Sequence, residues 1–132
     1  MKHKRIVVTG MGAVTSLGPT VPVIWDQLLA GKSGVSKIDF FDASPYASQI
    51  SASVREFDPS SFMPIKDARK TDLFIQYGIA AAHEALKDSG LEITETNAHR
   101  VGVAVGSGIG GLPMIEYSHQ LMIEKGARKI SP

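Results

Sequence analysis

The sequence of 132 residues contains no cysteine. This absence excludes a disulfide framework, a thiolate metal site and a cysteine nucleophile within these residues. The chain also has no large excess of positive or negative charge, because its formal net charge is only +1. No field of the whole chain therefore points to nucleic acid or to a membrane surface, and we expect neither as a partner.

Long apolar runs are also absent. No stretch approaches the roughly 18 apolar residues of a membrane span. The basic start at Met1 is followed by an apolar run of only Ile6, Val7 and Val8, which is too short for a signal peptide. We therefore expect a cytoplasmic protein. Its 43% hydrophobic and 20% charged residues are typical of a folded globular chain.

What the sequence does contain is three segments with helix start and stop signals. The segments begin near Pro22, Asp72 and Pro113 and stop at Gly31, Gly90 and Gly126. The second segment is the longest, and its apolar residues cover more than half of the helix circumference. This pattern predicts that the second helix is largely buried.

Two short runs of β-branched residues, at residues 6–9 and 100–105, predict buried strands, and each run is followed by glycine. Residues 32–64 are predicted to be irregular, with one short strand near residues 51–54. Strands that alternate with helices indicate an α/β fold with a mainly parallel sheet. Two parallel strands alone leave both edges unpaired, so we expect the isolated chain to fold poorly.

The glycine-rich turn at residues 106–111 formally contains G-x-G-x-x-G, at Gly106, Gly108 and Gly111. The pattern suggests a nucleotide-binding domain, because a pyrophosphate can approach such a backbone at a helix N-terminus. A dinucleotide site also needs an acidic residue after a second strand, but the nearest candidate, Glu124, lies in a predicted helix. Pro113 removes one N–H donor. Tight backbone packing is the alternative explanation for these glycines.

The histidines are separated along the chain, and none pairs with another metal-ligating residue at a suitable spacing. We predict surface or structural roles for His3, His83, His99 and His119. The carboxylates are equally scattered. The residues themselves thus indicate no metal, no cofactor and no catalytic acid–base pair.

Eight segments, in order along essentially the whole chain, resemble the β-ketoacyl-ACP synthases of fatty-acid synthesis. They are RIVVTGMG (5–12), LAGKSGV (29–35), IDFFD (38–42), RKTD (69–72), FIQYG (74–78), DSGL (88–91), GSGIGG (106–111) and RKISP (128–132). The ordered set is specific, although each segment alone is weak evidence. The resemblance implies a thiolase-like αβαβα layered fold and a homodimer, with residues 1–132 forming an incomplete part of the N-terminal domain.

The resemblance also implies a reaction, the decarboxylative Claisen condensation of malonyl-ACP with an acyl thioester held on a cysteine. In the family the nucleophilic cysteine and both catalytic histidines lie beyond the position of Pro132. We therefore assign no catalytic residue within this chain and expect the chain alone to be inactive. The implied partner is the acyl-carrier protein, as acyl-ACP and malonyl-ACP, and no cofactor is implied.

Two binding sites are implied by the resemblance. Ile109 resembles a residue that lines the acyl pocket at the dimer interface, and Leu112 resembles the neighbouring interface wall, although plain core packing explains both equally well. Five basic residues resemble the surface that docks the carrier protein. They are Lys66, Arg69, Lys70, Arg128 and Lys129. For these five residues, the alternative is an ordinary solvated face. For the chain as a whole, the alternative function is a non-catalytic module that binds the carrier protein.

Overall fold

The computed structural model describes residues 4–130, so the predictions for Met1, Lys2, His3, Ser131 and Pro132 lie outside the described residues. The helices of the described part are α1 (Val21–Leu29), α2 (Ile65–Ala68), α3 (Leu73–Ser89) and α4 (Leu112–Lys125). Two strands, β1 (Ser36–Lys37) and β2 (Ile50–Ser51), pair antiparallel. Short 3₁₀ turns lie at Pro59–Ser61, Ala98–Arg100 and Ala127–Lys129.

The three longer helices begin and end where the sequence predicts. Helix α1 has Pro22 in its first turn, and Gly31 follows it at φ 65°. Gly90 ends α3 in the left-handed conformation at φ 63°, and Gly126 ends α4 at φ 83°. Glycine adopts this conformation without the steric cost that a Cβ atom brings. The predicted boundaries are confirmed because their signals are local in the chain.

The two predicted buried strands do not form among residues 4–130. Residues 4–10 and 102–110 make no backbone–backbone hydrogen bond there, and Ala98–Arg100 is a 3₁₀ turn. Their side chains are exposed, Ile6 by 93% and Val103 by 82%. A parallel strand needs a ladder partner and a layer on each face, and the described residues supply neither. The paired strands in this part are antiparallel, and β2 lies close to the short strand predicted near residue 51.

Helix α3 is much less buried than its sequence predicts. Only Gln76 and Ala80 of this helix are buried, and Leu73 is 50% exposed. The remaining buried residues of the described part are the small side chains Ala43 and Ala68. The prediction of a largely buried helix is wrong for residues 4–130, because the elements around α3 cover only part of its apolar circumference.

Carboxylates of α3 hold the loop that precedes α1. Glu84 accepts hydrogen bonds from the backbone N–H groups of Ala13, at 3.0 Å, and Val21, at 2.8 Å. One turn later, Asp88 accepts a hydrogen bond from the N–H of Met11 at 2.9 Å. Val21 is the first residue of α1, whose N-terminus has no side-chain cap of its own. Glu84 thus supplies the acceptor that this helix terminus needs.

The same loop approaches the backbone of α3 very closely at two glycines. A methyl group at Gly10 would overlap the carbonyl oxygen of Ala85, and one at Gly12 would overlap that of Ala81. No side-chain rearrangement relieves an overlap with helix backbone. Gly10 and Gly12 therefore serve tight packing of the loop against the backbone of α3.

Candidate functional site

Three exposed cations lie where α2 passes into α3: Lys66, Arg69 and Lys70, together called the basic cluster here. Lys66 is in α2, and Arg69 follows it in helical conformation. Side chains three and four residues apart on a helix project from the same face. None of the three forms an ion pair within residues 4–130. The basic cluster is therefore not paired with any described carboxylate, although Asp67 and Asp72 lie in the same segment of the chain.

The one ion pair of the described residues lies elsewhere. Arg55 forms two hydrogen bonds to Asp39, at 2.7 and 3.2 Å, and a third to the hydroxyl of Ser36 in β1. The hydrogen bond from Arg55 holds the pKa of Asp39 below its ordinary value. Arg55 therefore stabilises the segment around β1. The cations of the basic cluster, in contrast, form no ion pair within residues 4–130.

A buried amide supports the backbone of the basic cluster. The side-chain N–H groups of Gln76 donate to the carbonyls of Ala68 and Thr71, both at 2.9 Å. The hydroxyl of Thr71 donates to the carbonyl of Asp67 at 3.1 Å. These bonds fix the turn between α2 and α3. The role of Gln76 was not predicted from the sequence, because its partners are backbone carbonyls that become neighbours only when this turn forms.

The other two predicted docking residues, Arg128 and Lys129, lie on a different element. They are exposed on the 3₁₀ turn that follows α4. Neither forms an ion pair among residues 4–130. The five basic residues are thus all available to an anionic partner, on two separate elements of the chain.

The glycine-rich turn at residues 106–111 presents its apolar side chains outward. Ile109 is 72% exposed and Leu112, at the start of α4, is 54% exposed. A methyl group at Gly110 would lie only 2.8 Å from the ring of Phe74, and Gly111 has φ 77° as the residue before α4. The last two glycines of the turn are therefore required by close packing and by backbone conformation.

An apolar groove of 420 Å³ lies beside this turn, between α3 and residues 103–105. It is lined by Phe74, Ile75, Gly78, Ile79, Ala82, Val103 and Val105. Phe74 belongs to both features, since its ring lines the groove and also packs against the glycine-rich turn. The ring of Phe74 therefore joins the groove to the glycine-rich turn.

The structure disfavours a dinucleotide at the glycine-rich turn. The Oδ2 atom of Asp72 lies 3.4 Å from the backbone nitrogen of Met114, in the first turn of α4. A carboxylate therefore faces the helix N-terminus that would have to attract the pyrophosphate. Gly106 and Gly108 have no neighbour within 4 Å of a built Cβ atom, so no close backbone approach requires them within the described part.

An aromatic cluster covers another part of α3. The ring of Phe57 contacts the rings of Phe62 and Tyr77, with centroids 6.1 and 4.9 Å away, and His83 packs against Phe62 at 5.7 Å. Burial raises the pKa of Tyr77. The position of His83 agrees with its predicted structural role. In the described ranges no three metal-ligating side chains come together.

The sequence profile described as "Beta-ketoacyl synthase, N-terminal domain" matches residues 3–132. The chain belongs to this family. It is 56% identical over 132 residues to the 3-oxoacyl-[acyl-carrier-protein] synthase 2 of Vibrio harveyi. The enzymes of the same name from Vibrio cholerae and Staphylococcus aureus (strain COL) are 55% and 41% identical. All of this chain matches the Vibrio harveyi relative, but it spans only 32% of that relative's length.

Solved structures confirm that the chain has the predicted α/β fold class. A β-ketoacyl synthase from Burkholderia phymatum matches 98% of the chain with a TM-score of 0.75 and 30% identity, and the chain spans 32% of it. A second match is a type II polyketide ketosynthase, solved with its acyl-carrier protein and bound to the hexaketide. It matches 98% of the chain with a TM-score of 0.73 and 28% identity, and the chain spans 33% of it. No helix in residues 4–130 is long and apolar enough to cross a membrane.

Proposed function

We propose that this chain is the N-terminal part of a cytoplasmic condensing enzyme that elongates fatty acids. The proposed reaction is the decarboxylative Claisen condensation of malonyl-ACP with an acyl-enzyme thioester, which lengthens the acyl chain by two carbons. The observation that carries the proposal is the family match over residues 3–132, with relatives named 3-oxoacyl-[acyl-carrier-protein] synthase 2 at up to 56% identity.

Residues 1–132 are proposed to be an incomplete portion of the family's N-terminal domain, inactive by itself. The reaction requires a thiolate that forms an acyl thioester, and none of the 132 residues is cysteine. In the family the nucleophile and the catalytic histidines belong to the remaining part of the enzyme. The exposed, unpaired residues 4–10 and 102–110 support this view, because parallel strands of a layered fold need partners on both sides.

Binding is the contribution that we propose for this part of the enzyme. The basic cluster, with Arg128 and Lys129, is proposed to dock the acidic acyl-carrier protein. None of these five residues forms an ion pair within residues 4–130, and this supports the role. Ile109 and Leu112 are proposed to line the acyl pocket at the interface of a homodimer. Their exposure and the adjoining apolar groove support that position.

The catalytic proposal is tested by supplying acyl-ACP and malonyl-ACP to two proteins. The first is the isolated chain, for which we expect no elongated product. The second is a chimaera in which residues 1–132 replace the matching third of the Vibrio harveyi relative, and we expect it to condense. Mass spectrometry of the acyl-ACP pool measures both. Condensation by the isolated chain, or an inactive but folded chimaera, would contradict the proposal.

The docking proposal is tested by reversing the charges of the basic cluster in the chimaera, as Lys66→Glu, Arg69→Glu and Lys70→Glu. We expect the KM for acyl-ACP to rise by about tenfold or more at low salt and the difference to shrink at high salt, because screening weakens exposed charge pairs. The matched control reverses three exposed lysines elsewhere, Lys4, Lys32 and Lys37. An equal rise in KM for the control would mean that net charge, and not this surface, determines docking.

A further inference from the structure

Asp72 lies between the N-termini of two helices that are distant in the sequence. Its Oδ1 atom accepts a hydrogen bond from the N–H of Leu73 at 2.7 Å and thereby caps α3. Its Oδ2 atom lies 3.4 Å from the nitrogen of Met114 in α4, which is 42 residues away. One carboxylate therefore faces the positive ends of both helix dipoles.

Helix α4 has little else with which to satisfy its first turn. Gly111, the residue before the helix, carries no side chain to cap it, and Pro113 has no N–H group. The N–H groups of Leu112 and Met114 are the donors that remain in this turn, and Asp72 is the acceptor that faces Met114. The Asp72 carboxylate thus caps the N-terminus of α4, a role that the residue directly before the helix has in most helices.

Two residues at the start of α3, Asp72 and Phe74, consequently lie against the glycine-rich turn. A methyl group at Gly111 would lie 3.4 Å from the Oδ2 atom of Asp72 and 3.4 Å from the ring of Phe74. Ile109 directly precedes Gly110 and Gly111 in this turn. On the other side of Asp72, directly preceding it in the chain, lie the basic cluster and the turn that Gln76 fixes.

We infer that Asp72 is a positioning residue that holds the turn bearing Ile109 in a fixed place relative to the basic cluster. It acts through the turn and does not touch the acyl chain. The inference rests on the proposed function of Ile109. Loss of the link between Asp72 and α4 lets the turn move, which alters the floor of the acyl pocket and so changes which chain lengths are accepted.

Asn is the informative replacement. In Asp72→Asn the amide oxygen can still accept from Leu73, and Asn is as good an N-cap as Asp. The amide NH₂ group then faces the N–H of Met114, so two donors meet and the link to α4 is lost. Asp58→Asn is the matched control, because Asp58 also caps its own turn, with a bond of 2.9 Å from Ser60, but faces no second helix.

The experiment uses the chimaera and measures kcat/KM for acyl-ACPs of short and long chain. For Asp72→Asn we expect a fall of about tenfold with the longest accepted acyl chain and of less than about threefold with short ones, since small misplacements of a binding group have large effects on rate. Asp58→Asn is expected to match the parent. The effect of Asp72→Asn is expected to vanish in an Ile109→Ala background, because a residue that acts through Ile109 has nothing left to position.

The amide hydrogen exchange of Met114 is a second readout that does not depend on activity. We expect faster exchange in Asp72→Asn than in the parent or in Asp58→Asn. Unchanged exchange together with an unchanged chain-length profile would show that Asp72 only caps α3, and would overturn the inference. If the parent chimaera does not condense at all, the proposed function fails, while the exchange of Met114 still decides whether Asp72 holds α4.

Discussion

Gln76 is the one polar side chain that is buried among residues 4–130. Its burial is explained by its two hydrogen bonds, because an amide removed from water is tolerated only when its donors are satisfied. Both acceptors are carbonyls of the turn that carries the basic cluster. At the scale of the residue, the surface proposed to dock the carrier protein thus depends on a side chain that never reaches that surface.

We predict that Gln76→Ala lowers the free energy of unfolding of the chimaera by about 1–3 kcal/mol, because two carbonyl acceptors lose their partner. Gln76→Glu is expected to be at least as harmful at neutral pH, since a carboxylate cannot donate to a carbonyl. Denaturant unfolding measures both. The control is Gln120→Ala, because Gln120 is an exposed residue of α4 whose side chain bonds Glu124 within the described part of the chain. A loss no larger than that of the control would contradict the assigned role of Gln76.

Helix α3 organises the described part of the chain at the scale of elements. Glu84 and Asp88 hold the loop before α1, Gln76 holds the turn after α2, and Asp72 faces the start of α4. Each of these contacts joins a side chain of α3 or its cap to a backbone group on another segment. The helix therefore fixes its neighbours by hydrogen bonds as well as by apolar packing.

We predict that Glu84→Gln loosens the loop before α1 and lowers the free energy of unfolding by about 1–3 kcal/mol. The two oxygens of Glu84 accept from two N–H groups, and an amide can serve only one of them while its NH₂ group opposes the other. Glu95→Gln, at an exposed position, is the control. Equal unfolding midpoints for the two variants would show that the loop is held by the close approach of Gly10 and Gly12 alone.

The elements differ in how far the sequence predicts them. The boundaries of α1, α3 and α4 follow from Pro22, Asp72 and Pro113 at their starts and from a glycine shortly after each end, and they are confirmed. The strands fail because pairing is non-local: residues 6–9 have the composition of a strand but no partner in the described part. The roles of Asp72 and Glu84 were missed for the same reason, since their partners lie 42 and 63 to 71 residues away.

The candidate site was only partly accessible from the residues themselves. Composition and spacing alone make the basic cluster an ordinary charged surface and make Ile109 an ordinary apolar residue. Resemblance to the family gave both a binding role, which stays a prediction. The structure adds what neither approach supplied, namely the shared position of Phe74 between the groove and the glycine-rich turn.

At the scale of the whole molecule, the described residues carry far more exposed apolar surface than buried core. The buried hydrophobic residues are three alanines, whereas Ile6, Val8 and Val103 are each more than 80% exposed. Soluble monomers rarely leave such segments uncovered. We propose that this surface is the inside of a larger layered fold, since the chain spans only 32% of the length of its Vibrio harveyi relative.

Amide hydrogen exchange of Val7, Val8, Val103 and Val105, compared between the isolated chain and the chimaera, tests this central claim most directly. In the chimaera these amides are predicted to join sheet ladders and to exchange at least about 100-fold more slowly than in the isolated chain, where they exchange at nearly the rate of an unfolded peptide. Rapid exchange of all four amides in a folded chimaera, or equal protection in both proteins, would contradict the account.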